Sequence, residues 1–225
     1  MVRQLPEKQL WKKMQMLQSR MITVLNKDCM EVMSEYPDKY FDLAIVDPPY
    51  GANDKWISGG GGNALRGKIE GWDIAPLKEY WDELFRVSKD QIVWGANYFT
   101  NYLPISSRWI CFEKFGLPKC PQFELAWTSL NIANKIFKAD RRDININWGK
   151  WIHPTQKPIE LYKWLLKYYA KSEYKIIDTH GGSMSSVIAC YDYGINEMVC
   201  CEIDKEYYDA AVKRFEIHKM QQKLF

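Results

Sequence analysis

No run of apolar residues approaches the roughly 20 that a helix needs to cross a bilayer. The longest, Phe41 to Val46, has the length of a strand. Residues 1–20 lack the apolar core and small-residue cleavage site of a signal peptide, because Arg3, Glu7, Lys8, Lys12, Lys13 and Arg20 interrupt them. The expectation is a cytoplasmic protein with no membrane partner. Histidine is scarce, at 3, and none of the 6 cysteines (Cys29, Cys111, Cys120, Cys190, Cys200, Cys201) forms a C-x-x-C pair. That spacing speaks against a zinc site, so no metal is expected. A disulfide framework is also not expected, since a chain this long buries enough surface without staples. There is no internal repeat and no long linker. The one low-complexity tract is Ser58 to Gly62.

What is present reads as a single globular domain over 1–225, with 47% apolar and 26% charged residues. The net charge is only +3, yet residues 1–20 carry +4 and residues 135–171 carry +6, leaving −7 for the rest. Two basic stretches on an acidic body suit a polyanion-binding face. They equally suit helices that carry lysines on their solvated sides. The polar loop 51–73 around the glycine tract is too flexible to be core, and long loops in compact domains are usually functional or disordered.

The pattern predicts a basic helix over 5–19, a strand at Met21–Leu25, a short helix over 29–35 and a strong strand at Phe41–Val46. A helix over 76–87 and strands at Gln91–Gly95, Arg108–Glu113 and Phe123–Thr128 follow. The basic segment 131–151 shows no clear period. Pro158 opens a helix from a first-turn position. A strand at Tyr174–Asp178, a helix over 183–193, a strand at Met198–Glu202 and a helix over 205–220 close the chain. Strands alternating with helices, and apolar enough to be covered on both faces, predict an α/β fold with a doubly wound, mostly parallel sheet. Ligands bind such sheets where strands end and helices begin.

Two strands end in unusual residues. At Asp47-Pro48-Pro49-Tyr50, two prolines remove two backbone donors, so the turn offers mainly acceptors. A carboxylate, a carbonyl without competing donors and an aromatic plate suit a planar group bearing –NH₂. An aromatic amine is a poor nucleophile because its lone pair is delocalised, and two acceptors draw it toward a tetrahedral geometry. Any one of these residues alone would be a stiff capping turn. The four together after an apolar strand are specific.

The segment Phe41 to Gly51 resembles the catalytic motif of DNA amino-methyltransferases. Asn26 to Cys29 resembles the segment that precedes that motif, and His153-Pro154-Thr155-Gln156-Lys157-Pro158 resembles the family's HPTxKP motif. The resemblance spans about 21 to 215. With the catalytic tetrapeptide first and the cofactor strand last, it is to the permuted β class, and an Asp at the head of the tetrapeptide resembles the adenine-N6 members. The resemblance implies a Rossmann-like methyltransferase of the restriction–modification kind, moving methyl from S-adenosylmethionine to the N6 amine of a flipped-out adenine. Asp47, Pro48, Pro49 and Tyr50 would be catalytic. Cytosine-N4 or RNA methylation remain alternatives, as does a nucleic-acid-binding protein with a degenerate cofactor site. Glutamine methyltransferases carry Asn at the head of the tetrapeptide and the reverse motif order, which argues against them.

At the other strand end, Asp178-Thr179-His180-Gly181-Gly182-Ser183 leads into a helix, a close-approach turn of the kind glycine permits. Glu202 ends the next strand, where an acid can accept from ribose hydroxyls. The resemblance implies that Asp178, His180, Gly181, Gly182 and Ser183 hold the methionine part of the cofactor and Glu202 the ribose. It places Asp28 near the adenine and Thr155, Gln156 and Lys157 against the cofactor; an Asp after a strand is more commonly a helix cap. The turn departs from the family's Asp-Pro-Phe-x-Gly-Ser-Gly-Thr at Thr179, His180 and Met184. Met184 adds bulk where the backbone runs close, which puts cofactor affinity in question. The implied partner is double-stranded DNA, bound by a monomer or homodimer through the loop 51–73 and the segment 131–151. The candidate contacts there are Asn53, Lys55, Arg66, Lys68, Arg141 and Arg142. Trp72, Trp94 and Tyr98 are expected to form core or cleft walls.

Overall fold

A computed structural model describes residues 20–51, 73–115, 122–140 and 151–222. Eight strands form one sheet: β1 (Met21–Leu25), β2 (Phe41–Val46), β3 (Ser88–Trp94), β4 (Trp109–Phe115), β5 (Phe123–Thr128), β6 (Lys135–Asp140), β7 (Lys175–Asp178) and β8 (Glu197–Cys201). The helices are α1 (Cys29–Ser34), α2 (Lys78–Val87), α3 (Ile159–Tyr169), α4 (Ser185–Tyr193) and α5 (Lys205–Gln222). A short 3₁₀ turn covers Ala96–Tyr98.

The strand order is β1-β8-β7-β2-β3-β5-β4-β6. Pairing is parallel except at β5, which runs antiparallel to both β3 and β4. The sheet is therefore mixed and mostly parallel. Its strands are apolar on both faces because both faces are covered. Successive residues alternate between two cores: Leu43, Ile45, Ile92, Trp94, Ile176, Met198 and Cys200 pack with α3, α4 and α5. Ala44, Val46, Val93, Ile177, Val199 and Cys201 pack with α1 and α2. This is the period of two that an extended chain imposes.

Local signals set the helix ends. The Asp28 carboxylate caps α1 by accepting from the Met30 N–H at 2.7 Å. Pro158, with φ −70°, precedes the first residue of α3. Gly194, at φ +88°, ends α4 with its N–H on the Cys190 carbonyl.

One element departs from the sequence expectation. Residues 135–140, inside the stretch read as without a period, form β6, paired parallel to β4 from Ile110↔Lys135 to Phe115↔Asp140. β6 is the sheet's edge, where charged residues are tolerated and the apolar alternation that marks interior strands is weak. The expected helix over 5–19 lies outside the described residues, as does most of the loop 51–73.

The chain passes from β2 to its neighbour β3 on one side and from β7 to its neighbour β8 on the other. The crossovers thus part between β2 and β7, which pair at Leu43↔Ile176 and Ala44↔Ile177. In open α/β sheets, the crevice outside the carboxyl ends of strands at such a point is where ligands bind.

Candidate active site

Both unusual strand ends face this crevice from adjacent strands: Asp47–Tyr50 follows β2 and Asp178–Ser183 follows β7. Asp47 is held on both oxygens. Oδ1 accepts from the Tyr50 hydroxyl at 2.7 Å, and Oδ2 is paired with the Lys157 ammonium. The Tyr50 ring stacks on Tyr98 with centroids 4.9 Å apart and planes 10° apart, and its edge meets Phe99 at 6.1 Å. Burial, then the charge of Asp47, raises the phenol well above its ordinary range, so Tyr50 stays a protonated donor.

Lys157 is almost fully enclosed, its side chain 4% exposed. Besides Asp47, its ammonium lies 3.2 Å from Glu124 Oε2 and 3.4 Å from the Tyr50 hydroxyl, and 5.5 Å from the centre of the Trp94 ring. The other oxygen of Glu124 is paired with Lys114. The resemblance implies cofactor contact for Lys157; here its ammonium is on the Asp47–Tyr50 turn. Glu124 drew no notice in the sequence. Its signal is a charged residue between apolar neighbours in Phe123-Glu124-Leu125-Ala126-Trp127.

The segment that ends in Lys157 connects the two turns. His153 packs against Gly182, so that a Cβ there would lie 3.5 Å from its ring, and it meets Tyr207 edge-on at 4.4 Å. Burial lowers the His153 pKa to about 4, keeping it neutral. Thr155 Oγ1 lies 3.1 Å from His153 Nδ1. Gln156 accepts from the Ile152 N–H at 3.3 Å, while its buried Nε2 has no partner among the described residues.

At the second turn, Asp178 is 2% exposed. It accepts from the Ser186 hydroxyl at 2.5 Å and the His180 N–H at 3.0 Å. Burial nevertheless pushes its pKa up to about 7, those two hydrogen bonds only partly opposing the shift. His180 is half-buried, and desolvation lowers its pKa to about 4. Thr179 Oγ1 lies 2.7 Å from the Tyr80 hydroxyl and 2.9 Å from His180 Nδ1. Glu202 accepts the Gly182 N–H at 2.7 Å and the Asp204 N–H at 2.9 Å, and burial raises its pKa. Gly181 is packed so closely that a Cβ would lie 2.6 Å from Cys200 Sγ, and Gly182 has φ +49°. Ser183 Oγ lies 3.1 Å from Ser185 Oγ, and its carbonyl accepts from Arg214 at 2.7 Å.

Met184, the conspicuous departure in this turn, sits at φ +54° with a side chain 0% exposed in the α3–α5 core. Its bulk points into packing and satisfies the core, while the backbone keeps the left-handed conformation a glycine would have adopted there. Asp28 caps α1, with its helix neighbours Cys29 and Met30 lining a cleft.

That open cleft, of about 320 Å³, is lined by Cys29, Met30, Pro49, Ile74, Pro76, Leu77, Glu79, Tyr80 and His180. Its walls are largely apolar and touch both strand-end turns. A flat heterocycle fits such walls, and Asp178, bonded to the His180 N–H, and Glu202, bonded to the Gly182 N–H, supply polar groups on the adjoining turn. Among the described residues no group of three His, Cys, Asp or Glu could hold a metal ion, and no helix is long and apolar enough to cross a membrane. Cys29, Cys111, Cys190, Cys200 and Cys201 are free thiols. Trp94 is buried core beneath Lys157, and Tyr98, 40% exposed, stacks on the Tyr50 ring. Asn53, Lys55, Arg66, Lys68, Arg141, Arg142 and Trp72 lie outside the described residues.

A family profile described as DNA methylase (N6_N4_Mtase) matches residues 118–213. That stretch contains His153–Pro158 and Asp178–Glu202 but not Asp47–Tyr50. No curated protein sequence matches the chain. Among solved structures, the SAM complex of M1.HpyAVI is similar at TM-score 0.58 and 18% identity, covering 86% of this chain and 100% of its own. TTHA0409 of Thermus thermophilus, described as a candidate DNA modification methylase and complexed with S-adenosyl-L-methionine, is similar at TM-score 0.57 and 15% identity, covering 88% and 95%. The cytosine-N4-specific PvuII DNA methyltransferase is similar at TM-score 0.59 and 12% identity, covering 88% of each chain. This chain has the mixed α/β fold of these methyltransferases.

Proposed function

We propose that the protein is a methyltransferase that uses S-adenosylmethionine to methylate an exocyclic amino group of a DNA base, and that the base is adenine. The observation that carries this reading is the adjacency of the two turns. β2 and β7 are hydrogen-bonded neighbours, so an amine acceptor, Asp47, stands beside a glycine turn suited to a nucleoside ligand. S-adenosylmethionine supplies an electrophilic methyl group when bound. Gly181, Gly182 and Glu202 are the residues that would hold it, with Asp178 shaping the turn and the Cys29–His180 cleft receiving its flat ring.

The chain's own contribution is positioning. A base inside a duplex does not reach a crevice of this kind, so the target is flipped out and laid against Tyr50. Asp47 and the Pro48 carbonyl accept hydrogen bonds from the two amine N–H groups and orient the lone pair, which converts a bimolecular encounter into an oriented one. Asp47 is the nearest acceptor for the proton that the methylated amine releases. Cytosine N4 is the second reading, favoured by the structural likeness to a cytosine-N4 enzyme. The Asp at position 47 favours adenine.

The test is transfer of labelled methyl from S-adenosylmethionine to unmethylated duplex DNA, followed by nucleoside analysis. N6-methyladenine is expected. N4-methylcytosine would replace the first reading with the second, and absence of transfer to DNA despite cofactor binding would overturn both.

A further inference from the structure

Both oxygens of Asp47 are already engaged within the chain, one by Tyr50 and one by Lys157. An incoming amine has to displace one of them. The Tyr50 hydroxyl is fixed by a ring stacked on Tyr98 and closely approached by Gly95. The Lys157 ammonium is different, because a second carboxylate oxygen, on Glu124, already lies 3.2 Å away. Four charges of alternating sign stand in series: Lys114, Glu124, Lys157 and Asp47. Shifting the ammonium from one carboxylate to the other leaves the net charge of this enclosed row unchanged. That matters, because stranding a buried charge without a partner costs about 3–5 kcal/mol.

We propose that the Lys157 ammonium is the resident occupant of the subsite Asp47 offers to the target amine, and that Glu124 is the positioning residue that draws it off when the base enters. The inference rests on the proposed function and deepens it. Lys157 keeps Asp47 paired while the subsite holds no base, and only a base with an N–H to donate can take its place. A base presenting a carbonyl there would leave Asp47 facing an acceptor, so the exchange favours amino over oxo bases.

The test uses the full chain and steady-state methylation of duplex DNA, with calorimetry for cofactor affinity. Glu124→Gln removes the charge that receives Lys157. It is expected to raise the KM for DNA on the order of tenfold, the scale of one weakened charge-assisted hydrogen bond, with cofactor affinity unchanged. Glu124→Asp is expected to restore part of that loss. Lys114→Gln leaves Glu124 less neutralised and a better receiver, so the KM for DNA is expected to fall. These opposite directions separate the exchange from a structural strut, whose loss raises KM in both variants. An unmoved KM in Glu124→Gln, or a KM unchanged or raised in Lys114→Gln, would overturn the inference; if Glu124→Gln does not fold, Lys114→Gln decides alone. Absence of methyl transfer by the unaltered protein would overturn the proposed function and this inference with it, whereas normal transfer with an unmoved KM overturns the inference only.

Discussion

Gly95 follows β3 at φ +66°, with its N–H on the Leu125 carbonyl, and a Cβ there would sit 2.1, 2.4 and 2.7 Å from three atoms of the Tyr50 ring. Those are distances real Cβ atoms do not show, so in Gly95→Ala the ring has to retreat by about 1.4 Å to bring its nearest atom from 2.1 Å to contact at about 3.5 Å. It cannot do so freely, since its hydroxyl is bonded to Asp47 and its ring packs on Tyr98 and Phe99. The left-handed backbone costs alanine about 1 kcal/mol, and overpacking adds about 1–3 kcal/mol. The expected destabilisation of about 2–4 kcal/mol lowers the midpoint by roughly 5–15 °C in a domain of this size. A misplacement of about 1 Å at a reacting group costs on the order of 100-fold in rate, so DNA methylation should fall by that scale. Cofactor affinity should be unchanged, because Gly182 and Glu202 lie beyond the far edge of β2, on the turns after β7 and β8. Thermal unfolding, calorimetry and steady-state methylation read the three effects separately. A Tyr50→Ala background isolates the clash: there the further cost of Gly95→Ala should shrink to the backbone term of about 1 kcal/mol. If Gly95→Ala costs the same with and without the Tyr50 ring, the close approach is not what demands glycine, and the reasoning fails.

Three further outcomes follow from the two turns. Asp47→Ala is expected to abolish methyl transfer while calorimetry shows cofactor binding largely intact; equal loss of both would contradict the separation of roles. Met184→Gly relieves about 1 kcal/mol of left-handed strain but removes a fully buried side chain worth about 2–5 kcal/mol. The variant should therefore melt below the parent while binding cofactor as well as it does, and a higher melting point would show that the side chain packs poorly. The third outcome concerns pH. Asp178, raised to about 7, is protonated in the folded state at pH values where the unfolded chain has released that proton, so its contribution to stability falls as pH rises from about 4 to 7. His153 and His180, lowered to about 4, act oppositely and cost stability as pH drops from 6.5 to 4. Asp178→Asn should gain stability on the parent between pH 4 and 7, by roughly a few kcal/mol, and run parallel to it above pH 8. Parallel curves throughout would mean that Asp178 is ionised in the fold across that range.

Much of the fold was legible because interior strands of a two-sided sheet announce themselves as short apolar runs, and β2, β5 and β7 were placed within a residue. β6 was not, because Lys135-Ile136-Phe137-Lys138-Ala139-Asp140 lies at an edge, where charge is tolerated on the solvated face and the alternation is blurred. The two turns were legible as well, since each concentrates several unusual residues within a few positions. What joins them was not. Lys157 meets Asp47 across 110 residues, and Gly95 matters through a ring 45 positions earlier. No local pattern encodes either contact, because both arise from the order in which strands lie side by side. Glu124 is intermediate: an acid inside an apolar strand is visible, but its two lysine partners are supplied by β4 and by the segment before α3. Asp28 shows the limit of local reading in the other direction, for its carboxylate does what an Asp after a strand most commonly does and caps the next helix.

The order of the two turns along the chain has no bearing on the chemistry they can perform together. Their distance is set by the register of β2 on β7, through Leu43↔Ile176 and Ala44↔Ile177, and by the parallel sense that brings both carboxyl ends to one edge of the sheet. Any connectivity that preserves that pairing presents the same amine acceptor beside the same glycine turn. What the connectivity does decide is which segment crosses between them. Here it is residues 153–157, with His153 against Gly182 and Lys157 on Asp47, so one short stretch senses both halves of the crevice.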